Sequence, residues 1–191
     1  MIRAAQPNFR AFLLAMRETI ARPQEIRALR WEDIQWNGNH TNAVQAIKAG
    51  DACFVMWEYK GKDMRANGDD PRILFISPRL GRLLVRIARR QVVTEGSIFR
   101  NRHDRPWTVN ATRCGMRRLR SSLGWGKDKR GELVCCYTLR HTMATLASAA
   151  GMRDRVLADI MGHVSTKMTA RYQHLSSDHL AEAMRRFWKR K

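Results

Sequence analysis

Five side chains spread over 150 positions, Arg22, Lys60, Arg140, His163 and Tyr172, have the types that phosphodiester chemistry requires. Cutting such a bond takes four things: a nucleophile in line with phosphorus, neutralisation of charge on the two non-bridging oxygens, a proton for the departing 5′-oxygen, and tight positioning. A phenol, with a pKa of about 10, needs activation but makes a good covalent carrier. Two guanidinium groups can grip both non-bridging oxygens and follow the charge as it develops. Each type alone is commonplace. Tyrosine on a helix is usually core filler, and arginine in a basic chain is usually surface charge. A hairpin lysine commonly touches backbone phosphate, and a histidine ending a helix often answers the helix dipole. The neighbours set these five apart.

Arg22 stands in ARPQEIRALRWEDI, with Glu25 three residues on, one helical turn away and able to orient it. Arg140 stands in YTLRHTMAT. His163 and Tyr172 share MGHVSTKMTARYQH, nine residues apart. Together, and in this order, these segments resemble the catalytic domain of tyrosine recombinases, the phage-integrase family, from about residue 8 to about residue 176. The resemblance implies roles. Tyr172 is the nucleophile and forms a 3′-phosphotyrosyl bond. Arg22 and Arg140 clamp the phosphate, supported by Glu25 and by His141 of the Leu139-Arg140-His141-Thr142 string. Lys60 is the general acid, and Lys62 is its rival, separated by one residue of turn register. His163 donates a hydrogen bond to the phosphate or shuttles a proton. One position departs from the pattern: the family's usual histidine three residues before the second arginine is Tyr137 here. A phenol is a poor base near neutrality. Tyr137 is left to hydrogen-bond the phosphate or the nucleophile, and water or His163 to accept the Tyr172 proton.

The charge balance agrees. Lys and Arg number 36 against 17 Asp and Glu, a net charge of +19, and 28 of the 36 are arginines. That excess suits a polyphosphate partner, and arginine's planar fork suits phosphate contact. Double-stranded DNA is the expected partner, and an anionic membrane surface is a distant second. No carboxylate cluster points to a two-metal nuclease, and no phosphate loop of the GxxxxGK[ST] kind is present, so the expectation is no metal and no cofactor. Cys53, Cys114, Cys135 and Cys136 contain no CxxC pair and read as reduced thiols. With no apolar run of about 18 residues and no signal-peptide layout, the expected location is cytoplasmic, at the nucleoid.

The elements that must position these residues can be read from periodicity. A helix is expected over 8–20, with Phe9, Phe12, Leu13, Met16 and Ile20 on one face, and another over about 23–31. Three strand-like runs, VQAIKAG, DACFVMWEYK and PRILFIS, predict a small antiparallel sheet whose second connection is a long basic hairpin carrying Lys60 and Lys62. Helices follow over 79–93, from a Thr108 cap to about Leu123, over 138–150, over 153–161 closed by Gly162, and from Ser177 onward. Arg82 and Arg86 line the polar side of one of these helices, and Arg113 and Arg117 that of another. Few acids interleave, so both ridges are expected to contact DNA. The fold class is α+β, mainly α-helical, with one small three-stranded antiparallel sheet.

The chain is expected to be one catalytic domain, 1–191, without the N-terminal core-binding domain that family members usually carry. The last segment, 177–191, has an apolar stripe of Leu180, Met184, Phe187 and Trp188 that would suit exchange between neighbours or fold-back on its own core. The protein is expected to be monomeric when free and tetrameric on DNA. The expected function is a site-specific recombinase, an integrase. The alternatives are a type IB topoisomerase-like enzyme that relaxes supercoils, and a non-catalytic DNA-binding remnant of the fold. A helix-turn-helix repressor is disfavoured, because no compact helix pair carries its turn pattern.

Overall fold

The computed structural model describes residues 1–57, 71–91, 94–129, 131–150, 152–162 and 177–189. Helix α1 (Pro7–Thr19) forms the centre of the core, with Phe12, Leu13, Ala15 and Met16 fully buried. It opens on a proline, whose missing N–H costs nothing in the first turn. It closes at Ile20 in the left-handed region, where the Ile20 N–H bonds the Met16 carbonyl. Helix α2 (Pro23–Ala28) follows after three residues. It is shorter than expected, because the chain leaves helical geometry at Leu29 and turns once more over Trp31–Asp33. Ile26, Leu29 and Trp31 are buried.

The sheet runs β1 (Ile34–Trp36), β2 (Ala52–Met56) and β3 (Arg72–Phe75), antiparallel and in that order. Ile34 pairs with Phe54, Phe54 with Leu74, and Met56 with Arg72. The three-stranded sheet is as expected, but its first strand is not VQAIKAG. That segment is helix α3 (Ala43–Ala49). The Asn42 side chain accepts from the Gln45 N–H at one end, and Gly50, at φ 88°, closes the other. The alanines around Val44 and Ile47 favour helix, and this end chemistry outweighs the β-branched pair.

Helix α4 (Pro78–Gln91) buries Leu80, Leu84 and Ala88, and the Ser77 hydroxyl accepts the Leu80 N–H at its start. Helix α5 (Val109–Ser122) is capped by Thr108, as expected, and buries Thr112, Met116 and Leu119. Val109 is exposed at the helix's first position. Phe9 of α1 lies against Gly115 of α5, and Phe9 and Phe12 both contact the Trp107 ring. Helices α6 (Cys136–Ala149) and α7 (Asp154–Met161) pack in sequence, and α8 (Ser177–Lys189) packs on α7 and β3. Met184 and Phe187 are buried there against the chain's own core, and Trp188 packs against it.

Candidate active site

The site begins at the start of α2. Arg22 is the residue before the helix, Pro23 its first position and Glu25 its third. The Glu25 carboxylate reaches back to the start of the helix. One oxygen, Oε2, accepts the Arg22 backbone N–H at 2.6 Å, and the other, Oε1, accepts Arg22 Nη1 at 2.8 Å. A cap that would ordinarily only satisfy a helix end therefore also fixes a guanidinium. Glu25 is 2% exposed, whereas the Arg22 side chain keeps 15% of its surface open.

Arg140 comes from the second turn of α6 and is 2% exposed. Its Nη1 donates to the Ile20 carbonyl and its Nη2 to the Met161 carbonyl, both at 2.6 Å. Burial pushes its pKa down to about 10. The Glu25 carboxylate opposes that shift and Arg22 adds to it, so the group remains a cation at neutral pH.

A third arginine completes the cluster, and sequence reasoning missed it. Arg72 opens β3 and faces inward with Leu74, 2% exposed. Its Nε lies 3.1 Å from Glu25 Oε1, the oxygen that Arg22 also holds, and its Nη2 donates to the Ile160 carbonyl at 2.9 Å. The available signal was strand alternation, which puts a charge on the buried phase of RILF.

The three arginines meet the end of α7. Arg72 takes the carbonyl of Ile160, Arg140 that of Met161, and Arg22 that of Gly162 at 2.8 Å. These last carbonyls lack partners within the helix and carry its negative end. Gly162 ends α7 at φ 66°, and a Cβ there would overlap the Arg72 guanidinium and approach Arg22 Nη1 to 3.3 Å. Glycine is required twice over, for the backbone angle and for the space.

Among the other expected residues, Tyr137 lies one turn before Arg140 and is 44% exposed. His141 lies at the surface of α6, where its carbonyl accepts the Thr145 hydroxyl at 3.0 Å. Arg82 and Arg86 are exposed on α4, Arg113 and Arg117 on α5. These two ridges flank α1 on different sides, since Arg10 and Leu14 of α1 border the α4 groove while Phe9 faces α5. Lys60, Lys62, His163 and Tyr172 lie outside the described residues. The structure therefore brings Arg22, Glu25 and Arg140 together, adds Arg72, and puts Tyr137 on the same helix as Arg140.

Comparison with known proteins follows the same lines. The model of the phage integrase family matches residues 3–179. A candidate integrase of Pseudomonas phage Pf1 is 48% identical over 74 residues, 39% of this chain and 20% of that protein. The integrase of Escherichia phage 186 is 41% identical over 55 residues, 29% of this chain and 16% of that protein. Among solved structures, XerA recombinase superposes with a TM-score of 0.59 at 19% identity, covering 99% of this chain and 59% of its own. XerH site-specific recombinase, solved in a pre-cleavage complex with its difH substrate, gives 0.59 at 18% identity, covering 95% and 50%. At these identities the superpositions establish the fold. The matched stretches span at most a fifth of the two phage proteins and little over half of the solved chains.

Proposed function

The chain belongs to the phage integrase family, and on that premise we propose that it is the catalytic part of a site-specific DNA recombinase. It cuts and rejoins strands through a 3′-phosphotyrosyl bond on Tyr172, without a metal ion. The observation that carries this reading is the convergence of Arg22 and Arg140, 118 residues apart, on adjacent carbonyls at the end of α7, next to His163 in sequence.

In the proposed reaction a scissile phosphate meets the Arg22–Arg140 face. Tyr172 Oη attacks phosphorus as its proton passes to water or His163. The bond to the 5′-oxygen breaks, and Lys60, or Lys62 in its place, delivers the proton to that oxygen. The phosphotyrosyl bond conserves the energy of the broken linkage, so a second strand's 5′-hydroxyl reverses the step and joins to the phosphate. Negative charge peaks on the non-bridging oxygens in the transition state, where buried and pre-oriented guanidiniums act most strongly. In this proposal Tyr137, exposed one turn before Arg140, hydrogen-bonds the phosphate or the nucleophile rather than serving as base.

Duplex DNA is the proposed partner, held through phosphate contacts from Arg113 and Arg117 on α5 and Arg82 and Arg86 on α4. DNA is what the XerH recombinase and the Tn1549 transposon integrase structures hold. We further propose one catalytic domain over 1–191, monomeric when free and tetrameric on DNA, with α8 exchanged between neighbours only in the DNA-bound assembly. Among the described residues no helix is long and apolar enough to cross a membrane.

Incubation with supercoiled plasmid in EDTA, followed by an SDS quench, tests the chemistry. The expected result is a protein–DNA adduct that Tyr172→Phe abolishes. An adduct that persists in Tyr172→Phe overturns the nucleophile, and one that appears only with Mg²⁺ overturns the metal-free step. Joined strand-exchange products separate a recombinase from an enzyme that only relaxes supercoils.

A further inference from the structure

Arg72 is the buried cation that the reaction above does not use. We infer that it is a positioning residue which sets the charge of the phosphate clamp, acting through Glu25 and the end of α7. The inference rests on the strand-cleavage reading for its substrate, but its geometry stands independently.

Glu25 Oε1 is shared, with Arg22 Nη1 at 2.8 Å and Arg72 Nε at 3.1 Å. All three groups are largely removed from solvent, so their charges are weakly screened. With Arg72 absent, the Glu25 carboxylate would be committed to Arg22 alone and would neutralise it. With Arg72 present, three arginines stand against one glutamate, and the cluster carries a net charge of +2. In-line attack by a phenolate on a phosphodiester raises the charge at phosphorus from one negative unit to two. The clamp with Arg72 matches that charge, and without it falls one unit short. Arg72 also ties the Ile160 carbonyl into the same cluster, next to the carbonyls that hold Arg140 and Arg22. Gly162 leaves the space its guanidinium fills. No contact with substrate is implied, because the side chain is buried at the root of β3.

The test compares Arg72→Lys, which keeps the charge, with Arg72→Met, which keeps most of the volume. Cleavage is followed on a duplex carrying the plasmid-mapped site, with either the native phosphate or a neutral methylphosphonate at the scissile position. In the transition state the methylphosphonate carries one negative charge where the diester carries two. On the diester, Arg72→Met is expected to lose about 100-fold in cleavage rate, in the range seen when one pre-organised donor to a developing anion is removed. The loss on methylphosphonate should be at least ten times smaller, and Arg72→Lys should retain most of the rate on both. Equal losses on the two substrates, or Arg72→Lys as slow as Arg72→Met, would overturn the inference.

A second readout needs no catalysis. Orthovanadate should raise the melting temperature of the wild type and of Arg72→Lys, but not of Arg72→Met. A rise that survives unchanged in Arg72→Met also overturns the inference. A wild type that binds vanadate in this charge-dependent way yet forms no adduct would refute the strand-cleavage reading and leave the role of Arg72 standing.

Discussion

Replacing Glu25 by glutamine tests whether the site is held together as an ion cluster. The side chain is 2% exposed, accepts from the Arg22 backbone N–H at 2.6 Å and from Arg22 Nη1 at 2.8 Å, and is ion-paired with Arg72 Nε at 3.1 Å. Glutamine keeps one oxygen. Whichever way its amide turns, an NH₂ faces a donor, either the helix-end N–H or the two guanidiniums. The buried charge also goes uncompensated, rising from +2 to +3. Removing one partner of a buried ion pair costs about 3–5 kcal/mol. For a domain of this size that corresponds to roughly 10 °C in Tm. A native domain holds about 5–15 kcal/mol, so Glu25→Gln should remain folded at low temperature. Calorimetry and urea unfolding read the loss, which should change little with NaCl because the pair is shielded from solvent. Adding Arg72→Met should recover part of it, since the surplus cation goes too. The double variant should then lose at least about 2 kcal/mol less than the sum of the singles. A Glu25→Gln protein within about 1 kcal/mol of wild type, or strictly additive losses, would refute the cluster as an energetic unit.

Four further outcomes are expected. Burial raises the Cys53 thiol and pushes Cys136 up to about 12, whereas Cys135 is exposed. Ellman's reagent at pH 8 should therefore modify Cys135 well before Cys136, and early labelling of Cys136 would contradict its burial. The unfolded Cys136 thiol ionises near 9.0 and the folded one near 12. Its contribution to stability is thus complete below pH 9 and is lost as pH climbs toward 12, which alkaline unfolding curves of Cys136→Ala and wild type would compare. Arg113→Ala and Arg117→Ala should each reduce the slope of log K against log salt for duplex DNA by about 1; an unaltered slope would remove α5 from the DNA face. Phe187→Ala should cost about 3 kcal/mol in DNA-free protein, since Phe187, on the inner face of α8, is 6% exposed. No loss would mean that α8 does not cover its own core in solution.

The clamp was legible where chemistry and local structure coincide. Arg22 and Glu25 share a helix start, and the spacing that makes a cap also makes the ion pair, so a short motif carried both. Arg140 was marked by its immediate neighbours. Arg72 was not, because its partners Glu25 and Ile160 lie 47 and 88 residues away and a strand reading averages over a run. The first strand was misplaced for a related reason. Ile34–Trp36 is too short for alternation to show, while Val44 and Ile47 drew attention to a segment that Asn42 and Gly50 bound as a helix. The two basic ridges were visible as helix faces, but their orientation around α1 is a tertiary fact. It depends on which α1 residues each helix meets.

The gathering of arginines at the end of α7 has a temporal side. Arg22 is synthesised long before residues 160–162, whose carbonyls hold it and its companions. A chain leaving the ribosome at about 5–20 residues per second therefore carries Arg22 and Glu25 for several seconds before the rest of the clamp exists. During that interval a protein this basic meets nucleic acid on all sides. On the proposed function, it would then associate through its surface charge before it could hold a phosphate for cutting. On that reading, a chain that stops short of residue 160 would have the charge to bind nucleic acid but not the assembled arginines to cut it.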